Sequence, residues 1–169
     1  MTSTTQTCGA TTLTDEQRIR FVSDSTCDVF STMVMLNPVS GSPLTETVNH
    51  FHNSISGMVG FAGVYTGTLS VHCPASLAIR ITSCMLGMEC DEVDDDVNDA
   101  LGEIANMLGG GVKHLLITDG KNVKLSTPTV ISGENYKVKA LSESNTVVIP
   151  FSIDEESFLV ALTLTKEDD

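Results

Sequence analysis

The sequence predicts an α+β fold, an antiparallel β-sheet packed by about three helices, from three observations. Three segments carry apolar residues at helical spacing between recognisable start and stop signals. Short β-rich runs bounded by turn residues fill the middle and the C-terminal part of the chain. No heptad, solenoid-length repeat or low-complexity block breaks this pattern.

Taken in order, residues 1–13 are rich in Ser and Thr and read as a disordered tail, leaving 14–169 as one domain. Thr14-Asp15-Glu16-Gln17 has the form of a capping box, with Thr14 as N-cap. The helix it opens lines up Ile19, Val22, Thr26, Val29, Phe30 and Met33 as a core face, and Asn37-Pro38 ends it. Residues 37–56 are polar, with room for a short strand. Met58–Val64 and Thr68–Cys73 then read as a hairpin turning at Tyr65-Thr66-Gly67. A second helix opens at Pro74 and closes at Gly87, with Leu77, Ile81, Cys84 and Met85 as its stripe.

The acidic run Asp91-Glu92-Val93-Asp94-Asp95-Asp96 suits a helix N-terminus, where carboxylates offset exposed N–H groups. A calcium loop lacks its ordered ligands, glycine and terminal Glu here. The third helix runs from Val97 to Leu108 and meets Gly109-Gly110-Gly111. Beyond it, Thr127–Gly133 reads as a strand entered through Pro128, Gly133-Glu134-Asn135 as a turn, and 147–152 with 157–165 as a closing hairpin.

Composition narrows the function. Absence of Trp, only two Tyr and a formal charge of −13 argue against a nucleic-acid surface. No run of eighteen apolar residues spans a membrane, and the N-terminus lacks a secretory pattern, so the expected location is cytoplasmic. Five cysteines, an odd number without CxxC, read as free thiols, several of them buried. His50 with His52, and His72-Cys73, have the residue types of metal ligands, but no third ligand is near. Exposed or capping histidines, and no metal, are expected.

Along the third helix, at about 100° per residue, Val97, Leu101, Ile104 and Leu108 form one stripe. Asp99, Glu103 and Asn106 cluster on the opposite side, bordered by Gly102 and Gly110. An idle surface helix also puts polar residues opposite its apolar stripe. Against that, each glycine costs about 1 kcal/mol relative to Ala, and is understandable where another backbone must come close. Asn106 is also a weak helix former for an idle face.

Asp99-xxx-Glu103-xx-Asn106, followed after twenty-one residues by Pro128, resembles the signature of the CheC/CheX/FliY chemotaxis phosphatases. The preceding strand pair GFAGVYTGTLSVHCP and short helix resemble the CheX branch, and the single copy of the motif does too. The resemblance implies a CheC/CheX-like fold and a hydrolase that dephosphorylates the phospho-aspartate of a CheY-like response regulator. It implies that Asn106 aligns the water, that Glu103 pairs with the regulator's lysine, and that Asp99, Gly102 and Gly110 join Glu103 in partner binding. Pro128 is implied to be structural. No cofactor is needed beyond the Mg²⁺ supplied by the regulator, and the protein is expected to be a homodimer, paired through strand edges. The alternative is a CheX-like adaptor that binds a regulator without turnover. A structural dimer sharing only the fold is a third reading.

Overall fold

The computed structural model describes residues 13–117, 122–139 and 144–167. Among these residues seven strands form one antiparallel sheet: β1 (Val39–Ser40), β2 (His50–Gly63), β3 (Tyr65–Pro74), β4 (Val123–Leu125), β5 (Thr129–Lys137), β6 (Thr146–Ile153) and β7 (Glu156–Lys166). Their order is β1-β6-β7-β3-β2, and the far edge of β2 is shared by β5 along its first half and β4 at its end. The helices α1 (Asp15–Val29), α2 (Ala75–Leu86) and α3 (Asp95–Leu116) pack on one face, with α3 touching both others. This is the predicted α+β architecture.

Local chemistry sets the helix starts as expected. The Thr14 hydroxyl accepts from the Gln17 N–H while the Gln17 side chain accepts from the Thr14 N–H, a complete capping box. Of the predicted tail, residues 1–12, including Cys8, lie outside the described residues, whereas Leu13 packs against the core. After Val29 the helix widens into one π turn, Phe30–Val34. The extra residue in that turn rotates the apolar face: Val34 is buried, and Met33, predicted to be in the core, stands exposed. Phe30 thereby stacks on Phe158 at 4.8 Å, and Phe158 on Phe151, tying α1 to the β6–β7 hairpin.

The first hairpin differs from its prediction. β2 begins at His50, eight residues before Met58, and the chain turns at Gly63-Val64, so Tyr65-Thr66-Gly67 belong to β3. Gly67 is needed where β7 runs closely alongside: a Cβ there would collide with the Thr163 carbonyl, at a φ of +152°. Gly133-Glu134-Asn135 likewise continues β5 rather than turning. The ladder to β2 runs on through Ser54↔Gly133 and His52↔Asn135 and keeps those backbone groups bonded.

On α2, Gly87 is the left-handed C-cap, as predicted, while Pro74, expected in the first turn, stands just before it as the N-cap and the last residue of β3. The buried stripe is Leu77, Ala78, Ile81 and Thr82, which leaves Cys84 exposed instead of in the core. Thr82 tolerates burial because its hydroxyl donates to the Ala78 carbonyl at 2.8 Å. Of the described cysteines, only Cys73 is fully buried and all four are free thiols.

Candidate functional site

The third helix starts as the acidic run requires. Asp94 is its N-cap and accepts from the Val97 N–H at 3.1 Å, with Asp95 and Asp96 in the first turn. Val97, Leu101, Ile104 and Leu108 are fully buried, as the stripe predicted. The helix does not stop at the glycines but runs through them to Leu116. Tertiary contact outweighs their poor propensity. A Cβ at Gly109 would press on Val59, and one at Gly111 on Ser25 of α1, whose hydroxyl donates to the Leu108 carbonyl at 3.1 Å.

That seat is unusually close to the sheet. A Cβ on Gly57 of β2 would sit 2.6 Å from the Leu101 carbonyl oxygen, so helix and strand backbones nearly touch. Gly102 is buried as well: its missing Cβ would meet Val130 at 3.2 Å and Pro128 at 3.7 Å. The partner-facing role expected for Gly102 is therefore corrected, because it faces the chain's own β5. Pro128, remote in sequence, thus braces the helix beside Glu103, which gives it a structural place. A Cβ at Gly110 would have nothing within 4 Å, so that position remains open on the outer face.

Asp99 and Glu103 are exposed and Asn106 is half-buried. None of the three side chains makes a hydrogen bond or ion pair among the described residues. Two carboxylates one turn apart repel each other, a cost of a few tenths of a kcal/mol (about 0.2–0.5) that a purely structural face has no reason to carry. With Glu89, Asp91, Glu92 and Asp94–Asp96 at the helix entrance, the surface favours a cationic group from outside. Because the helix continues past Leu108, Lys113 also comes within about 20° of Asn106, two turns on. Ending the helix at Leu108 hides this residue from sequence reasoning. Another feature without a sequence signal is the Asn98 Oδ1, buried with no hydrogen-bond partner among the described residues.

Among the described residues no group of three or more His, Cys, Asp or Glu is arranged to hold a metal, and no helix is long and apolar enough to cross a membrane. His50 and His52 are exposed on β2. His72 is not: it is buried on the sheet's helix-free face, with Nδ1 bonded to Ser56 at 2.6 Å and Nε2 to Ser70 at 2.9 Å. The expectation of exposed or capping histidines fails there because neighbouring hydroxyls satisfy both ring nitrogens. Among the described residues, Asp99, Glu103 and Asn106 are not in the lining of the cavities at Ser70, Arg80, Leu44 or Pro150.

A sheet-backed helix that offers carboxylates and an amide outward, with no cleft around them among the described residues, has the form of a surface for contact with another macromolecule. Residues 55–152, more than half the chain, match the family described as Chemotaxis phosphatase CheX, and the chain belongs to that family. The CheY-P phosphatase CheX of Thermotoga maritima is 30% identical over 131 residues, covering 76% of this chain and 83% of that protein. The crystal structure of chemotaxis protein CheX from Desulfovibrio desulfuricans is 30% identical, with TM-score 0.78, over 88% of this chain and 99% of that one. The CheX of a CheX–CheY–BeF₃–Mg²⁺ complex from Borrelia burgdorferi, 21% identical, shares the fold with TM-score 0.72 over 88% and 97% of the two chains.

Proposed function

We propose that this protein is a cytoplasmic phosphatase that hydrolyses the phospho-aspartate of a CheY-like response regulator, with Glu103 and Asn106 as its working side chains. The observation that carries the reading is their projection, unbonded, from a helix whose other side is clamped on the sheet. The acyl phosphate is already activated, and Mg²⁺ belongs to the regulator, in keeping with the composition of the Borrelia complex. What remains is to place water in line with the departing aspartate oxygen. The Asn106 carbonyl accepts a hydrogen bond from that water and its NH₂ group donates to a neighbouring oxygen. The water oxygen bonds to phosphorus as the bond to the aspartate oxygen breaks, releasing phosphate and a free carboxylate.

Glu103, one turn away, pairs with a regulator lysine and fixes the register, a charge-assisted contact. Asp99 supports the docking, and Gly110 leaves space for the partner's backbone. Two copies of the chain pair through sheet edges, for which the outer edge of β5, unpaired among the described residues, is suited. Light scattering at micromolar concentration reads a dimer mass; a monomer mass overturns that assignment.

The test of activity is decay of a phosphorylated regulator in Mg²⁺, over a panel of CheY-like proteins, with wild-type protein and Asn106→Ala. Accelerated decay by the wild type and its loss in the variant, with an unchanged thermal midpoint, is the expected result. Normal activity of Asn106→Ala overturns the mechanism. A stable complex with no acceleration makes the protein an adaptor instead.

A further inference from the structure

The face of the sheet opposite the helices carries a second feature that the phosphatase reading does not use. Side chains alternate across a sheet: Ile55, Leu69 and Val71 point into the core, and Ser56, Ser70 and His72 point the other way. There the strands floor a cavity of about 490 Å³, within the usual range of small-molecule sites. Its floor is recessed because Ser70 and Ala161 are small, and Met58 and Val148 give it an apolar lining. The walls are the segments around Val48 and Val138, held together by the Val138 N–H donating to the Asn49 carbonyl at 2.9 Å. The Leu44 N–H donating to the Val148 carbonyl at 2.8 Å anchors the first wall to β6.

A line of hydrogen bonds ends in this floor. It runs from Tyr136 Oη to Ser56 Oγ at 2.8 Å, on to His72 Nδ1 at 2.6 Å, and from Nε2 to Ser70 Oγ at 2.9 Å. Burial lowers the His72 pKa to about 4, so the ring is neutral near pH 7 and carries one N–H. The neutral ring donates at one nitrogen and accepts at the other, so His72 gives the line a direction. Running toward Ser70, it leaves the Ser70 O–H as a donor beside the cavity; running toward Tyr136, it makes the Ser70 oxygen the acceptor of a ligand's hydrogen. Charge settles the ligand class. Among the described residues the lining holds no carboxylate to meet a cation and one lysine, Lys139, at the wall, and the chain's net charge of −13 repels anions.

We propose that this cavity binds an uncharged, mainly apolar small molecule whose one carbonyl or hydroxyl oxygen bonds to Ser70. The full-length protein is titrated with the neutral ketone dye prodan, whose emission shifts to the blue in apolar surroundings and back to the red when its carbonyl accepts a hydrogen bond. The expected result is saturable binding of one dye per chain, and weaker binding of the anionic anilinonaphthalene sulfonate. Ala161→Leu and Thr68→Leu, which fill the floor and narrow the mouth, each weaken prodan about tenfold or more, while their thermal midpoints show that they fold. Two positions are used so that one remains informative if the other destabilises. Ser70→Ala weakens binding about threefold to tenfold and shifts the bound dye further to the blue, a change that a purely structural role for Ser70 does not produce. No saturable binding, or equal binding in both filled variants, overturns the proposal. Dye release as protein concentration rises through self-association overturns it too, because the occupant is then a second copy of the chain.

Discussion

Replacing Gly57 with alanine puts one methyl group between β2 and the motif helix, and its effect can be worked from the geometry. The new Cβ would lie 2.6 Å from the Leu101 carbonyl oxygen and 3.3 Å from the Ala105 Cβ, where ordinary contact begins at 3.4 Å. Both neighbours are anchored: the carbonyl is backbone in mid-helix, and Ala105 is itself fully buried. No flexible side chain can swing away, so α3 must recede by about 0.8 Å, the shortfall against ordinary contact. Overpacking of this kind costs about 1–3 kcal/mol. Urea denaturation with a matched slope measures it, and a thermal midpoint lower by roughly 2–10 °C is the corresponding shift for a chain of this size. The displacement also moves Glu103 and Asn106, since they ride on the same rigid turn. A misplacement near 1 Å can lower a positioned reaction by about 100-fold. The decay rate of phosphorylated regulator should therefore fall more than the folded fraction does. Wild-type stability together with a wild-type rate would refute the claim that the helix is held at its depth by this glycine.

Gly110→Ala is the counterpart on the open face. With nothing within 4 Å of the added methyl, stability should rise by about 0.5–1 kcal/mol in denaturant titration, the difference in helix propensity. If a partner backbone approaches there, affinity for the regulator falls at the same time; unchanged affinity removes Gly110 from the docking surface. His72 gives a pH signature. Its pKa is lowered to about 4 in the folded state by burial, against about 6.5 when unfolded, so the unfolded chain binds more protons between those values. Its contribution is therefore fully present above about pH 6.5 and is lost as pH falls toward 4, by an amount on the order of 3 kcal/mol. Comparing stability at several pH values in wild type and His72→Gln isolates this from carboxylate titration, and parallel profiles would contradict it.

Periodicity and capping chemistry are local, and for that reason the helix starts were legible from residues alone. Thr14 with Gln17, and Asp94 with Val97, act within one turn. The same holds for the stripe of Val97, Leu101, Ile104 and Leu108, and for the outward cluster of Asp99, Glu103 and Asn106. Spacing does not say whether that cluster is idle; the role proposed for it rests on its resemblance to the family pattern that ends at Pro128. Elements that depend on distant partners were misread. The turn expected at Tyr65-Thr66-Gly67 is strand because β7 pairs with it there, and Gly133-Glu134-Asn135 is strand because β2 continues beside it.

Glycine shows the division most clearly. In the sequence, Gly102 and Gly110 looked alike, two helix-weakening residues bordering a polar face. Only the tertiary structure separates them: Gly102 lies under Pro128 and Val130, and Gly110 opens outward. Likewise Gly109 and Gly111, which read as a helix end, are contact points that let α3 continue and bring Lys113 into line with Asn106. A glycine's local signal is the absence of a side chain. Whether that space is filled by the protein's own backbone or left for another molecule is decided by residues far away in the chain, once the sheet has formed beneath the helix.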